Sequence, residues 1–294
     1  MENRKKTGTP AKRKTRGQQI WHQFKKNKGA VIGLIVLAIV LVIAIYAQFR
    51  YDYITDICGI NARERLQTPS LKHPFGTDQA GRDVMARIFY GARYSLIIGF
   101  FAVGISVMLG TILGSIAGYY GGAVETTIMR IVEMFLLIPS MLLAIVLVAA
   151  FGISFSNLII ALGLSTVPHF ARNARASVMT VCGNEYVEAA KAVGVSNFTI
   201  IFRHVLPNAL SPILVQATTR IAQCIVSAAT FSFMGLGVPA PTPEWGAMLS
   251  DAKQYMREFP HLILFPGLAI LITCLAINLV GDGLRDALDP RLKR

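Results

Sequence analysis

The sequence predicts an all-α polytopic membrane protein of six transmembrane helices with both termini in the cytosol, and three observations carry the prediction. Of its 294 residues, 53% are hydrophobic and 15% charged, with a mean hydropathy of +0.52, which is too apolar for an ordinary soluble domain. Gly29 to Ala47, GAVIGLIVLAIVLVIAIYA, holds no charge over 19 residues, and at ~1.5 Å per residue it spans roughly 28 Å, close to the thickness of a bilayer core. Basic residues gather at the two ends of the chain, where a positive-inside bias holds them in the cytosol.

Taken in order, residues 1–28 form a basic cytosolic tail with Arg4, Lys5, Lys6, Lys12, Arg13, Lys14, Arg16, Lys25, Lys26 and Lys28 against Glu2 alone. Residues 29–47 form the first span. A cleaved signal peptide is the competing reading, but the stretch is long for one, lacks a small-residue cleavage pattern and is followed by further spans, so a retained anchor is expected. Residues 48–94 form an extracytoplasmic segment, whose seven basic residues from Arg50 to Arg93 run against the charge bias and are offset by Asp52, Asp56, Glu64, Asp78 and Asp83. Residues 95–282 hold the transmembrane core, with spans at Ser95–Gly118, Met129–Phe151, Ser156–Pro168, Pro212–Leu236 and Leu262–Val280 and a cytosolic loop at 169–210. Residues 283–294 end the chain in the cytosol with Arg285, Arg291, Lys293 and Arg294. Because Ser156–Pro168 is short and close behind its predecessor, counts of five or seven spans also fit the hydropathy.

The formal net charge of +13 does not point to nucleic acid, since ten of the 29 basic residues sit in the tail beside the first span. Orientation in the membrane, or contact with anionic lipid, accounts for them. Cys58, Cys182, Cys224 and Cys274 are scattered without a CxxC pair, and His22, His73, His169, His204 and His261 never pair, so neither a disulfide framework nor a metal site is expected. P-loop, HExxH and GxSxG patterns are absent, which argues against an enzyme. Arg220 is the clear ionisable residue inside a predicted span, and it either snorkels to the cytosolic face or lines a pore. Gly99, Gly104, Gly110, Gly114 and Gly118 recur every four to six residues, as small residues do where helices pack closely.

One cytosolic segment, EYVEAAKAVGVSNFTIIFRHVLPN from Glu185 to Asn208, is patterned without being chemical. Tyr186, Ala189, Ala190 and Val193 fall at i, i+3, i+4 and i+7 and predict one short amphipathic helix. Gly194 closes it. Ser196 caps a second helix in which Phe198, Ile201, Phe202 and Val205 repeat the spacing, and Pro207 is expected to end it. Helices this short need a surface to lie on, either the protein's own flank or a second protein. Arg172 and Arg175, at the start of this cytosolic loop, are expected to act as positive-inside anchors.

The run EAAKAVGVSNFTIIFRHVLP resembles the EAA motif of binding-protein-dependent ABC importer permeases through Glu188, Ala189, Ala190, Gly194, Leu206 and Pro207. Histidine at position 204, where the broader motif carries Ile, resembles the peptide and nickel branch. Three further blocks are similar to that branch: His73 to Gly99, TPEWGAML from Thr242 to Leu249, and NLVGDGLRDALDPRLK from Asn278 to Lys293. The chain departs at Ala228, where relatives often carry an acid, and at Glu133, where they carry Asp; either departure bears on cargo preference if it lines the path.

The resemblance implies a MetI-like type I importer fold and a multi-pass permease subunit in the cytoplasmic membrane of a prokaryote. It implies a second homologous permease, two cytosolic ABC ATPases that use the ATP, an extracytoplasmic substrate-binding protein, and no cofactor on this chain. In that setting Tyr186, Ala189, Ala190, Val193, Phe198, Ile201 and Phe202 seat the helix pair on an ATPase, Gly194 permits its turn, and Glu188 hydrogen-bonds at its border, with His204, Leu206 and Pro207 completing the motif. The cargo implied is a dipeptide or oligopeptide; nickel or another small solute is the alternative within the family, and a scaffold or enzyme the alternative outside it.

Overall fold

The computed structural model describes residues 16–288; the charges at Arg4 to Lys14 and at Arg291 to Arg294, on which part of the orientation rests, lie outside them. Among the described residues the chain is helical and carries no strand. Helix α1 (Arg16–Lys26) precedes α2 (Lys28–Arg50), which Asn27 starts by accepting from the Ala30 amide at 3.1 Å. The Asn27 side-chain amide donates to Asp286 at 2.9 Å, tying the start of α2 to the end of α11 (His261–Leu288). Between them are α3 (Val84–Tyr120), α4 (Gly122–Leu136), α5 (Ser140–Phe151), α6 (Phe155–Cys182), α7 (Glu185–Ala192), the single turn α8 (Asn197–Thr199), α9 (Leu206–Phe233) and α10 (Trp245–Ala252).

Among the described residues four helical stretches are long and apolar enough to cross a membrane: α2, α3, the 37 residues Asn197–Phe233, and α11. A fifth is obtained if α4 and α5, which meet at 88°, count as one span. The straight span predicted over Met129–Phe151 is therefore broken. Pro139 supplies the reason, because the residue before a proline avoids the helical region and the proline has no N–H to give the next turn. The stretch expected at Ser156–Pro168 is the first half of α6, which is 28 residues long in all with Pro168 inside it. Its second half carries His169, Arg172, Asn173 and Arg175, which is why hydropathy ended it early. A sixth span is reached only if α6 is counted.

Close backbone approach holds the bundle. Helices α3 and α6 pack along Gly110, Gly114 and Gly118: a Cβ at Gly114 would lie 2.3 Å from the Ala171 carbonyl oxygen, and one at Gly110 2.5 Å from the Phe170 Cβ. Gly99 faces Ile225 of α9, whereas a Cβ at Gly104 would meet nothing within 4 Å. Four of the five glycines in the predicted stripe thus serve packing. Ile98, Leu158, Leu162 and Phe231 form one core cluster, and Phe170, Ile213, Ile221 and Ile225 another.

At the α2-to-α3 end, the chain folds into a cap. Asp83 starts α3 by accepting from the Ala86 amide at 2.8 Å, so the helix begins at Val84, well before the apolar run at Ser95. The buried Arg87 guanidinium reaches the Ile57 carbonyl at 2.7 Å and the Pro241 carbonyl at 3.3 Å. Arg82 pairs with Asp78 at 2.7 Å and lies 3.7 Å from Asp251. Burial raises the Asp251 carboxyl above its ordinary range, with Arg82 and Arg87 pulling the other way. In the same cap the Glu64 carboxyl is held below its ordinary range by its hydrogen bond to Lys72.

Candidate coupling and translocation site

The patterned segment stands at the opposite end of the bundle. Tyr119, at the end of α3, donates to Asn197 at 2.8 Å, and Val187, Ile200 and Val205 pack with Val178 and Val181 of α6. The segment turns where the sequence said. Gly194 sits at φ +81°; the Val195 amide donates to the Ala190 carbonyl at 3.1 Å and the Gly194 amide to Lys191 at 3.0 Å, a Schellman closure. Ser196 accepts from the Thr199 amide at 3.4 Å, as an N-cap does.

Beyond Ser196 the prediction of a second, separate helix stopped by Pro207 fails. Residues Ile200–Val205 form a widened turn, with the Leu206 amide donating five residues back to Ile201, and the helix runs without a break from Asn197 to Phe233. Pro207 occupies the first turn of α9, where a missing N–H costs little. The widened turn also shifts the side-chain phase, because a stripe counted at 3.6 residues loses register across it. Phe198 and Phe202 consequently face outward, 70% and 54% exposed with ring centroids 4.5 Å apart. Ile201 and Val205 face the bundle.

On α7 the predicted stripe also faces outward: Tyr186 is 44% and Val193 83% exposed, Glu188 and Ala189 are exposed, and Ala190 is half-buried. The inward anchor is Val187, fully buried. Sequence periodicity found the free face and missed the anchor, because a single inward valine makes no stripe. His204 is half-buried, and its carbonyl accepts from Asn208 at 2.7 Å. Arg175, expected as a positive-inside anchor, pairs with Glu125 of α4.

Arg220 is half-buried on α9 and lines a cavity of about 440 Å³ among α3, α5, α6, α9 and α11. Ser165, Thr166, Gln223, Ser227 and Asn278 supply the polar part of its wall. Ala228, where relatives often carry an acid, is buried in the core, and Glu133 borders a separate pocket with Glu125 and Arg175.

The residue pattern from 110 to 294 matches the family described as the binding-protein-dependent transport system inner membrane component. The chain belongs to that family. Residues 15–69 of the permease match a second model, the N-terminal transmembrane domain of oligopeptide transport permease C. The permease is similar to the dipeptide transport system permease protein DppC of Alkalihalophilus pseudofirmus, 48% identical over 276 residues, 94% of this chain and 90% of that one. It is also similar to the glutathione transport system permease protein GsiD of Pectobacterium atrosepticum, 42% identical over 281 residues, 95% of this chain and 93% of that one. Among solved structures, the inward-facing MetNI methionine ABC transporter aligns with a TM-score of 0.59 at 19% identity, covering 70% of the permease and 98% of that chain. That likeness shows the MetI-like fold. The protein is a multi-pass inner-membrane component of an ABC import system, a transport subunit and not an enzyme.

A residue that sequence reasoning reached only through the TPEWGAML block is Glu244. It is buried, 1% exposed, and starts α10 by accepting from the Gly246 and Ala247 amides at 2.9 and 2.8 Å. It also accepts from Ser95 of α3 at 3.2 Å and Ser232 of α9 at 2.8 Å. One carboxyl group therefore fastens the α10 end to two spans. Replacing Glu244 with Ala leaves those donors without a protein acceptor and removes the cap, a loss of at least about 2 kcal/mol. The midpoint of heat-induced aggregation in detergent is expected to fall, with a smaller fall for Glu244→Gln.

Proposed function

We infer that the permease carries dipeptides or oligopeptides across the cytoplasmic membrane, together with a second permease, two cytosolic ATPases that use the ATP, and an extracytoplasmic binding protein. The observation that carries this reading is the free outward face of Tyr186, Ala189, Val193, Phe198 and Phe202 on a segment continuous with a span-length helix. A surface of that kind, held at one edge by Val187 and hinged at Gly194, is suited to seating in a groove of an ATPase. Ala190 and Glu188 border the contact, and His204, Leu206 and Pro207 join it to α9.

Because residues 197–233 form one helix, displacement of the segment by the ATPases is transmitted directly into α9. Coupling then requires that the segment bind differently in the two ATPase states, since equal affinity shifts no population. Peptide cargo is supported by the similarity to permeases named for dipeptide and glutathione transport. In a strain lacking this gene, uptake of labelled dipeptides and tripeptides is expected to fall and to return on complementation, with nickel uptake unchanged. Loss of nickel uptake with peptide uptake intact would reverse the cargo assignment.

A further inference from the structure

We propose that the Arg220 cavity is an anion subsite that receives a carboxylate of the cargo during passage, with the Arg220 guanidinium as the recognising group. This rests on the importer reading above and adds to it the chemistry that the membrane-embedded part selects.

The cavity is placed for such a role. Arg220 lies 13 residues before the end of α9 at Phe233, roughly 20 Å along the helix at ~1.5 Å per residue, so its side chain meets the cavity well inside the bundle. Among the described residues the guanidinium has neither a hydrogen bond nor an ion pair, and the cavity wall contains no Asp or Glu. Arg220 lies within electrostatic reach of His169 of α6, as does Arg172, and neither His169 nor Arg172 offers a negative counter-charge. A cation held at this depth without a counter-charge is costly, and such residues mark the paths of charged solutes.

The surrounding groups suit a carboxylate. A guanidinium binds one through two parallel N–H donors in a fixed fork, and Gln223, Ser227 and Asn278 offer amide and hydroxyl donors beside it, while the Ser165 and Thr166 hydroxyls donate to the Leu162 carbonyl. Ser227 and Gln223 lie on the same helix as Arg220, seven and three residues on, so they share its face or border it. The volume of about 440 Å³ falls within the ~300–1,000 Å³ of small-molecule sites. The cavity is open along one side, which leaves a way in. Every peptide with a free C-terminus carries a carboxylate, whereas a bare divalent cation is repelled here. The same feature therefore separates peptide from uncomplexed metal as cargo.

The test uses the permease with its co-purifying subunits in proteoliposomes, with a labelled dipeptide and its C-terminal amide as substrates and a single binding-protein preparation throughout. The wild type is expected to favour the free acid. Arg220→Gln is expected to lower uptake of the acid by about tenfold or more, the worth of one charge-assisted bidentate contact, while amide uptake and binding-protein-stimulated ATP hydrolysis stay near wild type. Arg220→Lys, which keeps the charge without the fork, is expected to fall between.

An unchanged acid-to-amide ratio in Arg220→Gln overturns the assignment, whether uptake is normal or both substrates fall together; the latter result would give Arg220 to a lipid phosphate or to a carboxylate of the partner permease. Ser227→Ala with Gln223→Ala, which keeps the cation, is expected to reduce the ratio by a smaller factor, and an unaltered ratio there also counts against the site. Failure of the wild type to take up either peptide would instead defeat the importer reading, so the two failures are distinct.

Discussion

Replacing Gly194 with Val is expected to leave the permease folded and inserted while peptide uptake falls and ATP hydrolysis persists. Gly194 holds φ +81°, and a Cβ there would meet nothing within 4 Å, so the substitution acts on the backbone and not by collision. Left-handed backbone costs an L-residue about 1–2 kcal/mol, and a β-branched side chain is a genuine outlier there. That strain disfavours the Schellman turn by roughly 5- to 30-fold, which redirects α7 relative to Asn197–Phe233.

The bundle does not depend on this turn, because the inward anchors Val187, Ile200 and Val205 lie on either side of it. Uptake is expected to fall by a similar factor, with membrane abundance unchanged and the ATPases still turning over. Gly194→Asn, which tolerates the left-handed region better, is expected to retain most of the uptake. Normal uptake by Gly194→Val at normal abundance would remove this segment from the coupling path. Loss of the protein from the membrane would assign Gly194 to folding instead.

The parts of this fold that hydropathy read well are those in which burial in lipid alone decides the structure. Helix α2 is uncharged between Lys28 and Arg50, and that run was visible in the sequence. Helix α3 starts before its apolar run because Asp83 caps it and the carbonyls of Ile57 and Pro241 accept from the buried Arg87, the last two being partners far away in the chain that no local pattern reports. The break at Pro139 was masked by the apolar residues on both sides.

In the candidate site, the caps at Gly194 and Ser196 were legible because they are local hydrogen-bonding rules. The continuity through Pro207 was not, since it depends on a widened turn that carries no composition signal. That turn also explains why Ile201, placed by spacing beside Phe198 and Phe202, faces the other way. Arg220 was singled out by charge alone, and packing decided that it lines a cavity.

The second large effect is expected at Gly114, where Leu should prevent accumulation of the permease, while Leu at Gly104 of the same helix should be tolerated. At Gly114 a Cβ would stand 2.3 Å from the Ala171 carbonyl oxygen, 2.7 Å from the Ala174 Cβ and 2.8 Å from the Arg175 amide nitrogen. Two of these are backbone atoms that cannot rotate away, so α3 and α6 must separate along their whole contact, from Gly110 to Gly118. A cost of roughly 3 kcal/mol or more follows, beyond ordinary overpacking. Gly104 has open space at its Cβ, where the same side chain should change stability by no more than about 0.5 kcal/mol. Membrane-fraction abundance and the detergent melting midpoint distinguish the two variants, and equal behaviour would refute the packing account of the glycine stripe. The consequence extends to coupling, because α3 ends at the Tyr119 contact with Asn197 and α6 leads into α7. A smaller side chain, Gly114→Ala, should therefore lower uptake more than it lowers abundance, by letting the two helices that hold the coupling segment drift apart.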